Sequence, residues 1–271
     1  MKVARIAAFS LNNAGGNPAG VVISDKMPAP HDMQAMAKEI GYSETAFLEP
    51  SGKGWRVRYF APEQEVPFCG HATIASAAEL GRRFGAGHYD LVLNTDEITV
   101  NAIDQGNGQW AGFLMSPPTN SGPAQKELLN SCLKTFNFGI TDLDPRFPPV
   151  IGSAGATHLL LGLKDRQTLS AMQYDYDHLR DIMLEHGLTT IDLFHCQDEK
   201  VIYCRNPFAA GGVYEDPATG AAAAALSGYL RDIGWIPAGR ISIFQGQEMG
   251  SPSKITADID TAPGSGIRIS G

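Results

Sequence analysis

Apolar and polar positions alternate at the start of the chain, so Val3–Phe9 and Val21–Ile23 read as strands. The turn-rich run Asn12-Asn13-Ala14-Gly15-Gly16-Asn17-Pro18 separates them. The period then changes: Met33, Met36, Ala37 and Ile40 recur at helical spacing, predicting a helix over His31–Ile40 with one buried stripe. Gly41 stands where such a helix stops. Ser43–Glu49 begins just after that stop, a polar entry into an apolar strand. Trp55–Phe60 returns to the alternation of a half-buried strand and gives way to Pro62 and a short acidic stretch. Cys69-Gly70-His71 then feeds Ala72–Phe84, a helix rich in Ala, Ile and Leu. Its first amides, near Gly70–Thr73, lack intrahelical partners and are open to an anion. Leu91–Leu93, Ile98–Ile103 and Trp110–Met115 read as strands closing a first half at Ser116-Pro117-Pro118, the candidate linker.

The second half repeats this rhythm more loosely, with apolar Thr157–Leu163, a polar helix over Tyr176–His186, and strands at Ile191–His195 and Val201–Cys204. Further strands are expected at Ile241–Phe244, Ile255–Ile259 and Ile267–Ile269, the last returning to the first half. Val57-Arg58-Tyr59-Phe60, leading to Cys69-Gly70-His71-Ala72-Thr73 and an Ala-rich helix, has a counterpart. This is Val201-Ile202-Tyr203-Cys204, leading to Glu215-Asp216-Pro217-Ala218-Thr219-Gly220 and Ala221–Leu230. Such a repeat suggests duplication, the alternative being chance likeness of two Ala-rich helices. Thr219–Ile233 is apolar nearly all round, which predicts burial on every side, as in a helix enclosed by a curled sheet.

A hydrophobic content of 43% over 271 residues is enough for one large core or two moderate ones. The 21 basic and 29 acidic residues, net −8, form no long block of either sign, which argues against a nucleic-acid surface or an anionic membrane as partner. Arg5 interrupts the apolar stretch nearest the first residue, and nowhere do about 18 apolar residues run together. A soluble, cytoplasmic protein is expected. Cys69, Cys132, Cys196 and Cys204 stand far apart, with no C-x-x-C pair and no His at zinc spacing, suggesting neither a disulfide framework nor a structural metal. The Gly-rich segments fit no nucleotide-binding pattern, no serine nucleophile elbow is present, and no lysine sits in a loop feeding a buried helix. Proton transfer by side chains is the chemistry left.

Several residues could carry it. Glu44, between Gly41 and an apolar strand, places a carboxylate beside hydrophobic neighbours, a setting suited to proton exchange near neutral pH; a solvated turn residue or a helix cap is the alternative. His71, in the first turn of a buried helix, could hydrogen-bond a bound polar group or be a cap or a satisfied core histidine. Cys69 at the same helix start is either a reactive thiolate or a small buried residue. In Glu215-Asp216-Pro217-Ala218-Thr219-Gly220, Asp216 is the natural N-cap with Pro217 at the first helical position, and it could also hold a substrate amine or hydroxyl.

Five segments occur in the order of a known family: Gly16-Asn17-Pro18-Ala19-Gly20-Val21-Val22, Ser43-Glu44-Thr45-Ala46-Phe47, Arg58-Tyr59-Phe60-Ala61-Pro62 with Glu65-Val66, Phe68-Cys69-Gly70-His71-Ala72-Thr73, and Glu215-Asp216-Pro217-Ala218-Thr219-Gly220. Over nearly its whole length the chain resembles the phenazine-biosynthesis PhzF family, within the diaminopimelate epimerase and proline racemase superfamily. The resemblance implies an α+β fold of two pseudosymmetric half-domains, each a curved, mostly antiparallel sheet wrapped around a central helix. The first half-domain is expected over residues 1–116, joined by the C-terminal strand 260–271, and the second over 117–259. The resemblance also implies an isomerase without metal or organic cofactor, usually a homodimer, with its site where the halves meet. There Glu44 would shuttle a proton between carbons of an unsaturated hydroxy-amino acid, while His71 and Asp216 position or polarise it. The segments at Gly70, Ala72 and Thr73 and at Thr219, Gly220 and Ala221 would hold the carboxylate of this small-molecule substrate.

Two departures stand out. Ala221 follows the Thr-Gly where similar proteins commonly have Ser, and Ser251-Pro252-Ser253 stands where they commonly have Arg-Pro-Ser. Both suggest a substrate other than the phenazine precursor. A rival reading is a two-base epimerase or racemase; Cys69 is available, but Pro217 stands at the place expected of a second thiol, leaving only Glu44 paired with Cys69 or Asp216. Another is a ligand-binding or interaction protein without catalysis.

Overall fold

In the computed structural model, which describes residues 1–271, the chain divides into two compact units. The first comprises Met1–Ser10, Gly16–Met115 and Ser270–Gly271, and the second Leu11–Gly15 and Ser116–Ile269. Most of the stretch expected to join the first half, residues 260–269, therefore lies in the second unit. Hydrogen bonds hold it there: Thr119 N–H donates to Gly264 O and Ser116 N–H to Ile267 O, while the Arg231 guanidinium donates to Ser265 O. Gly271 closes on the first unit, exchanging backbone bonds with Gly112.

The first unit contains β1 (Ala4–Ala8), β2 (Asn17–Ile23), α1 (Pro30–Ile40), β3 (Glu44–Ser51), β4 (Gly54–Phe60), β5 (Glu65–Val66), α2 (Gly70–Phe84), β6 (Gly87–Val92), β7 (Glu97–Gly106) and β8 (Gln109–Met115). Pro18, expected in a turn, lies in β2 opposite Ala7. Its missing N–H does no harm there, because pairing with β3 begins only at Ala19. Gly41 ends α1 in the left-handed region, at φ 71°, its N–H donating to Ala37 O. The strands run β1-β2-β3-β4-β6-β7-β8 across the sheet, antiparallel except at β2–β3 and β4–β6. The helix α2 packs on β1, β2 and β3 and also on β6, β7 and β8, so the sheet curls around it. Ala19, Val21, Ala46, Leu48, Val57 and Tyr59 face it, packed with Ala72, Ala75 and Leu80. The opposite parity, Val22, Phe47 and Phe60, packs against Met33 and Ala37 of α1.

Close approach of α2 to β8 depends on Gly112, where a Cβ would sit 2.4 Å from the backbone oxygen of Ile74. Gly112→Ala is expected to cost about 2–3 kcal/mol, the upper range for overpacking a core, measured as the shift in a urea unfolding curve.

The second unit contains β9 (Asn120–Pro123), α3 (Lys126–Thr135), β10 (Val150–Ser153), β11 (Thr157–Gly162), α4 (Arg166–Ser170), α5 (Tyr176–Glu185), β12 (Thr190–Cys196), β13 (Val201–Pro207), β14 (Glu215–Asp216), α6 (Gly220–Asp232), β15 (Gly239–Gln245) and β16 (Ser253–Ile259); a short β17 (Arg268–Ser270) follows. From β10 the pairings repeat those of the first unit in order: antiparallel β10–β11, parallel β11–β12, antiparallel β12–β13, parallel β13–β15 and antiparallel β15–β16. The buried helix α6 packs on β9, β10, β11, β12 and β16, as α2 does in its own unit. Leu159, Leu161, Ile191 and Leu193 face the other way, onto α3 and α5. No helix is long and apolar enough to cross a membrane.

The repeat is real, but its register differs from the one the sequence suggested. Arg58 forks onto Glu65 from β4 to β5, and Arg205 forks onto Glu215 from β13 to β14. Arg58 pairs with Phe47 on β3 and Arg205 with Leu193 on β12. Arg58 thus corresponds to Arg205 rather than Ile202, and Glu44, paired with Ala19, corresponds to Thr190, paired with His158. The helices begin at Gly70 and Gly220, which makes Thr219, not Pro217, the counterpart of Cys69. Pro217 instead matches Pro67.

Candidate active site

Glu44 opens β3 and shares side-chain parity with Ala46 and Leu48, so its carboxylate is turned to the α2 face of the sheet. α2 begins earlier than the Ala72 expected, with Cys69 at its N-cap, and this carries His71 into the first turn beside Glu44. His71 Nε2 lies 3.3 Å from Glu44 Oε2 and 3.3 Å from Ser43 Oγ. Its Nδ1 lies 3.4 Å from Cys69 Sγ. The imidazole is 10% exposed, and burial holds its pKa below the ordinary value, the Glu44 charge opposing that only in part. A neutral ring donates from one nitrogen and accepts at the other. Although near, His71 is not aligned to donate to Glu44, whose Oε2 is buried with no hydrogen-bond donor. An oxygen so placed is available to take a proton.

The backbone beneath this group is tied down from inside. Thr73 donates its N–H to Cys69 O at 3.0 Å and its hydroxyl to the same oxygen at 2.7 Å, and its Oγ1 lies 2.6 Å from Tyr59 Oη. Thr73 is wholly buried, so both of its polar groups serve the helix start and neither is open to an anion as the sequence suggested. The helix itself leaves the amides of Gly70, His71 and Ala72 unpaired.

Asp216, Thr219 and Gln245 form a network in the second unit, and Gly220 begins the helix beside it. Asp216 is not the N-cap: it sits in β14 opposite Asn206, while Thr219 takes the N-cap position of α6. Ladder pairing fixes the Asp216 backbone as strand, and its carboxylate instead accepts the Thr219 hydroxyl at 2.6 Å. Gln245 locks the pair by donating to Asp216 O and Thr219 Oγ1 and accepting from Thr219 N–H. The Thr219 amide is therefore already used, leaving those of Gly220, Ala221 and Ala222 as the ones the helix does not pair. Ser251 donates its N–H to Gly246 O in the loop after β15. Ser43, Tyr59 and Gln245 were not singled out from the sequence. Ser43 adjoins Glu44 and could have been; Tyr59 and Gln245 gain their roles only through strand register.

A profile described as PhzC-PhzF, phenazine biosynthesis-like protein, matches residues 6–271. The chain belongs to this family. Its phenazine biosynthesis-like relatives include the trans-2,3-dihydro-3-hydroxyanthranilate isomerase of Pseudomonas fluorescens, 33% identical over 261 residues, covering 93% of this chain and 88% of the relative. An uncharacterized isomerase of Bacillus subtilis, YfhB, is 28% identical over 277 residues, covering 97% and 92%. The fold is that of the Bacillus anthracis phenazine biosynthesis protein of the PhzF family, at a TM-score of 0.84, 24% identity and coverage of 100% and 96%. This phenazine biosynthesis-like chain is an enzyme of the isomerase type.

Proposed function

We propose that the enzyme moves a proton between carbons of a small, unsaturated, carboxylate-bearing amino or hydroxy acid, using Glu44 as a single carrier and no cofactor. The observation that carries this reading is the buried Glu44 Oε2, which has no hydrogen-bond donor yet lies beside a histidine that burial keeps neutral. The carboxylate takes the C–H proton, the electron pair of that bond shifts the double bond along the substrate, and the same carboxyl returns the proton to another carbon. His71, whose ring is held by contacts to Ser43 Oγ and Cys69 Sγ, positions or polarises the substrate beside Glu44 without competing for the proton. The activity named for the Pseudomonas fluorescens relative supports the substrate class. Ala221 and Ser251 are where the substrate is expected to differ. The working form is taken to be a cytoplasmic homodimer, which light scattering checks for the assembly.

Geometry disfavours epimerisation by Glu44 and Cys69. Two bases on opposite faces of one carbon, each about 3–3.5 Å from it, lie about 6–7 Å apart, whereas these donor atoms lie within 4.8 Å of each other. The test is a screen of cyclic and acyclic amino and hydroxy acids in deuterated water. Product from the true substrate is expected to retain part of its original hydrogen, because a shielded carrier returns what it removed. Complete washout by solvent deuterium would favour two bases instead.

A further inference from the structure

We propose that Glu44, Cys69 and His71 form a site for a thiophilic divalent cation, zinc above all, whose binding blocks the proton carrier. The cysteine and histidine lie in one turn at the start of α2, and the third donor comes from β3, so no zinc spacing shows in the sequence. One ligand atom from each residue lies within 4.8 Å of the other two. Zinc bonds of about 2.3 Å to sulfur and about 2.0–2.2 Å to nitrogen and oxygen, at tetrahedral angles, place donors about 3.3–3.6 Å apart. The Glu44 Oε2 to His71 Nε2 separation is 3.3 Å and Cys69 Sγ to His71 Nε2 is 3.8 Å. Two edges of the tetrahedron are therefore formed to within a few tenths of an ångström, and the third closes with a movement of about an ångström.

A second observation points to a cation. Glu44 Oε2 is a buried carboxylate oxygen without a donor, a place where a positive ion relieves an otherwise uncompensated charge. The imidazole supplies the Nε2 lone pair in exchange for its contact with Ser43 Oγ, and the thiol becomes a ligand as its proton leaves to solvent and the metal–sulfur bond forms. Three protein donors leave one position for water, as in open zinc sites. Occupancy would hold the Glu44 oxygen on the metal and stop it from accepting a proton. Binding of the cation stands apart from the isomerase reading; only the inhibition rests on it.

The experiment titrates the metal-free protein with cobalt(II), a spectroscopic probe for zinc, and then displaces it with zinc. One equivalent is expected to give the intense visible bands of tetrahedral cobalt together with a thiolate charge-transfer band. In Cys69→Ser that band should vanish, and zinc affinity measured by calorimetry should fall about tenfold or more. Glu44→Gln should weaken binding comparably while keeping the thiolate band, with circular dichroism confirming that both variants fold. Absence of the band in the unmodified protein, or its survival in Cys69→Ser, overturns the site. With the substrate found by deuterium exchange, one equivalent of zinc should halt exchange and a chelator restore it. Exchange continuing in the zinc-loaded protein overturns the inhibition while leaving both the cation site and the isomerase reading intact.

Discussion

Glu44→Gln is expected to lower kcat by about 10²–10⁴-fold, the usual contribution of a positioned acid-base group, with little change in KM. Glutamine keeps the volume and one carbonyl oxygen of the glutamate, so packing of β3 on α2 should survive. An amide cannot take up and return a proton at neutral pH, and that step is all the substitution removes. Cys69→Ala serves as the comparison. If the thiol is not a base, this variant should stay within about tenfold of the unmodified enzyme, far above the level expected of Glu44→Gln. Equal losses in the two would point to a two-base reaction, and near-normal turnover in Glu44→Gln would remove the carboxylate from the mechanism. Measuring kcat and KM separately matters, because a residue that only holds the substrate raises KM first.

Local pattern carried much of the fold. The stripe Met33, Ala37 and the stop at Gly41 gave α1 almost to the residue, and the Ala-rich runs gave α2 and α6. The duplication was also legible, though its register was not. Residues 61–64 join β4 to β5, whereas residues 208–214 join β13 to β14, and the longer connection puts the matching strand and helix of the second unit out of step with the apolar pattern. The sequence pattern places the start of α2 too late and that of α6 too early, because the cap depends on backbone pairing upstream: Asp216 is fixed as strand by Asn206, which hands the cap to Thr219. α3 leaves little signal in the sequence, since its buried Leu128, Cys132 and Leu133 make a short stripe in a polar helix. Glu44 and His71 are legible as candidates because each adjoins a local signal, a helix stop and a helix start, but it is the family resemblance that singles them out; the structure places them side by side. The buried polar chain His158, Thr190, Asn206 and Asp192 of the second unit has no such local signal, because its members come from three strands.

That chain occupies the place in the second unit that Glu44 and its neighbours occupy in the first, and it should make stability depend on pH in an unusual way. His158 Nδ1 lies 2.7 Å from Thr190 Oγ1, Thr190 donates to Asn206 Oδ1, and Asn206 Nδ2 donates to Asp192 Oδ1. This direction makes Nδ1 the donor of His158 and leaves its Nε2, like Asp192 Oδ2, buried without a partner. Burial lowers the His158 pKa to about 4 and raises that of Asp192 to about 7. Below the unfolded histidine pKa of about 6.5 the unfolded chain holds the imidazole proton more tightly, so His158 withdraws stability as pH falls from 6.5 towards 4. For Asp192 the folded state holds the proton more tightly, and stability is withdrawn as pH rises from 3.8 towards 7. Between about pH 4.5 and 6 each state carries one proton, on His158 when unfolded and on Asp192 when folded, and the two slopes cancel. Asp192→Asn, which keeps the neutral form, should remove one slope and stabilise the protein above pH 7 by about 4 kcal/mol, three pKa units at 1.36 each. His158→Gln should remove the other, so the stability difference between the single variants should change by about 2.7 kcal/mol per pH unit in that window. Urea unfolding at pH 4.5, 5.25 and 6, about the middle of the range between the two shifts, reads this directly. Parallel profiles for the two variants would show that folding does not move a proton from the histidine to the aspartate.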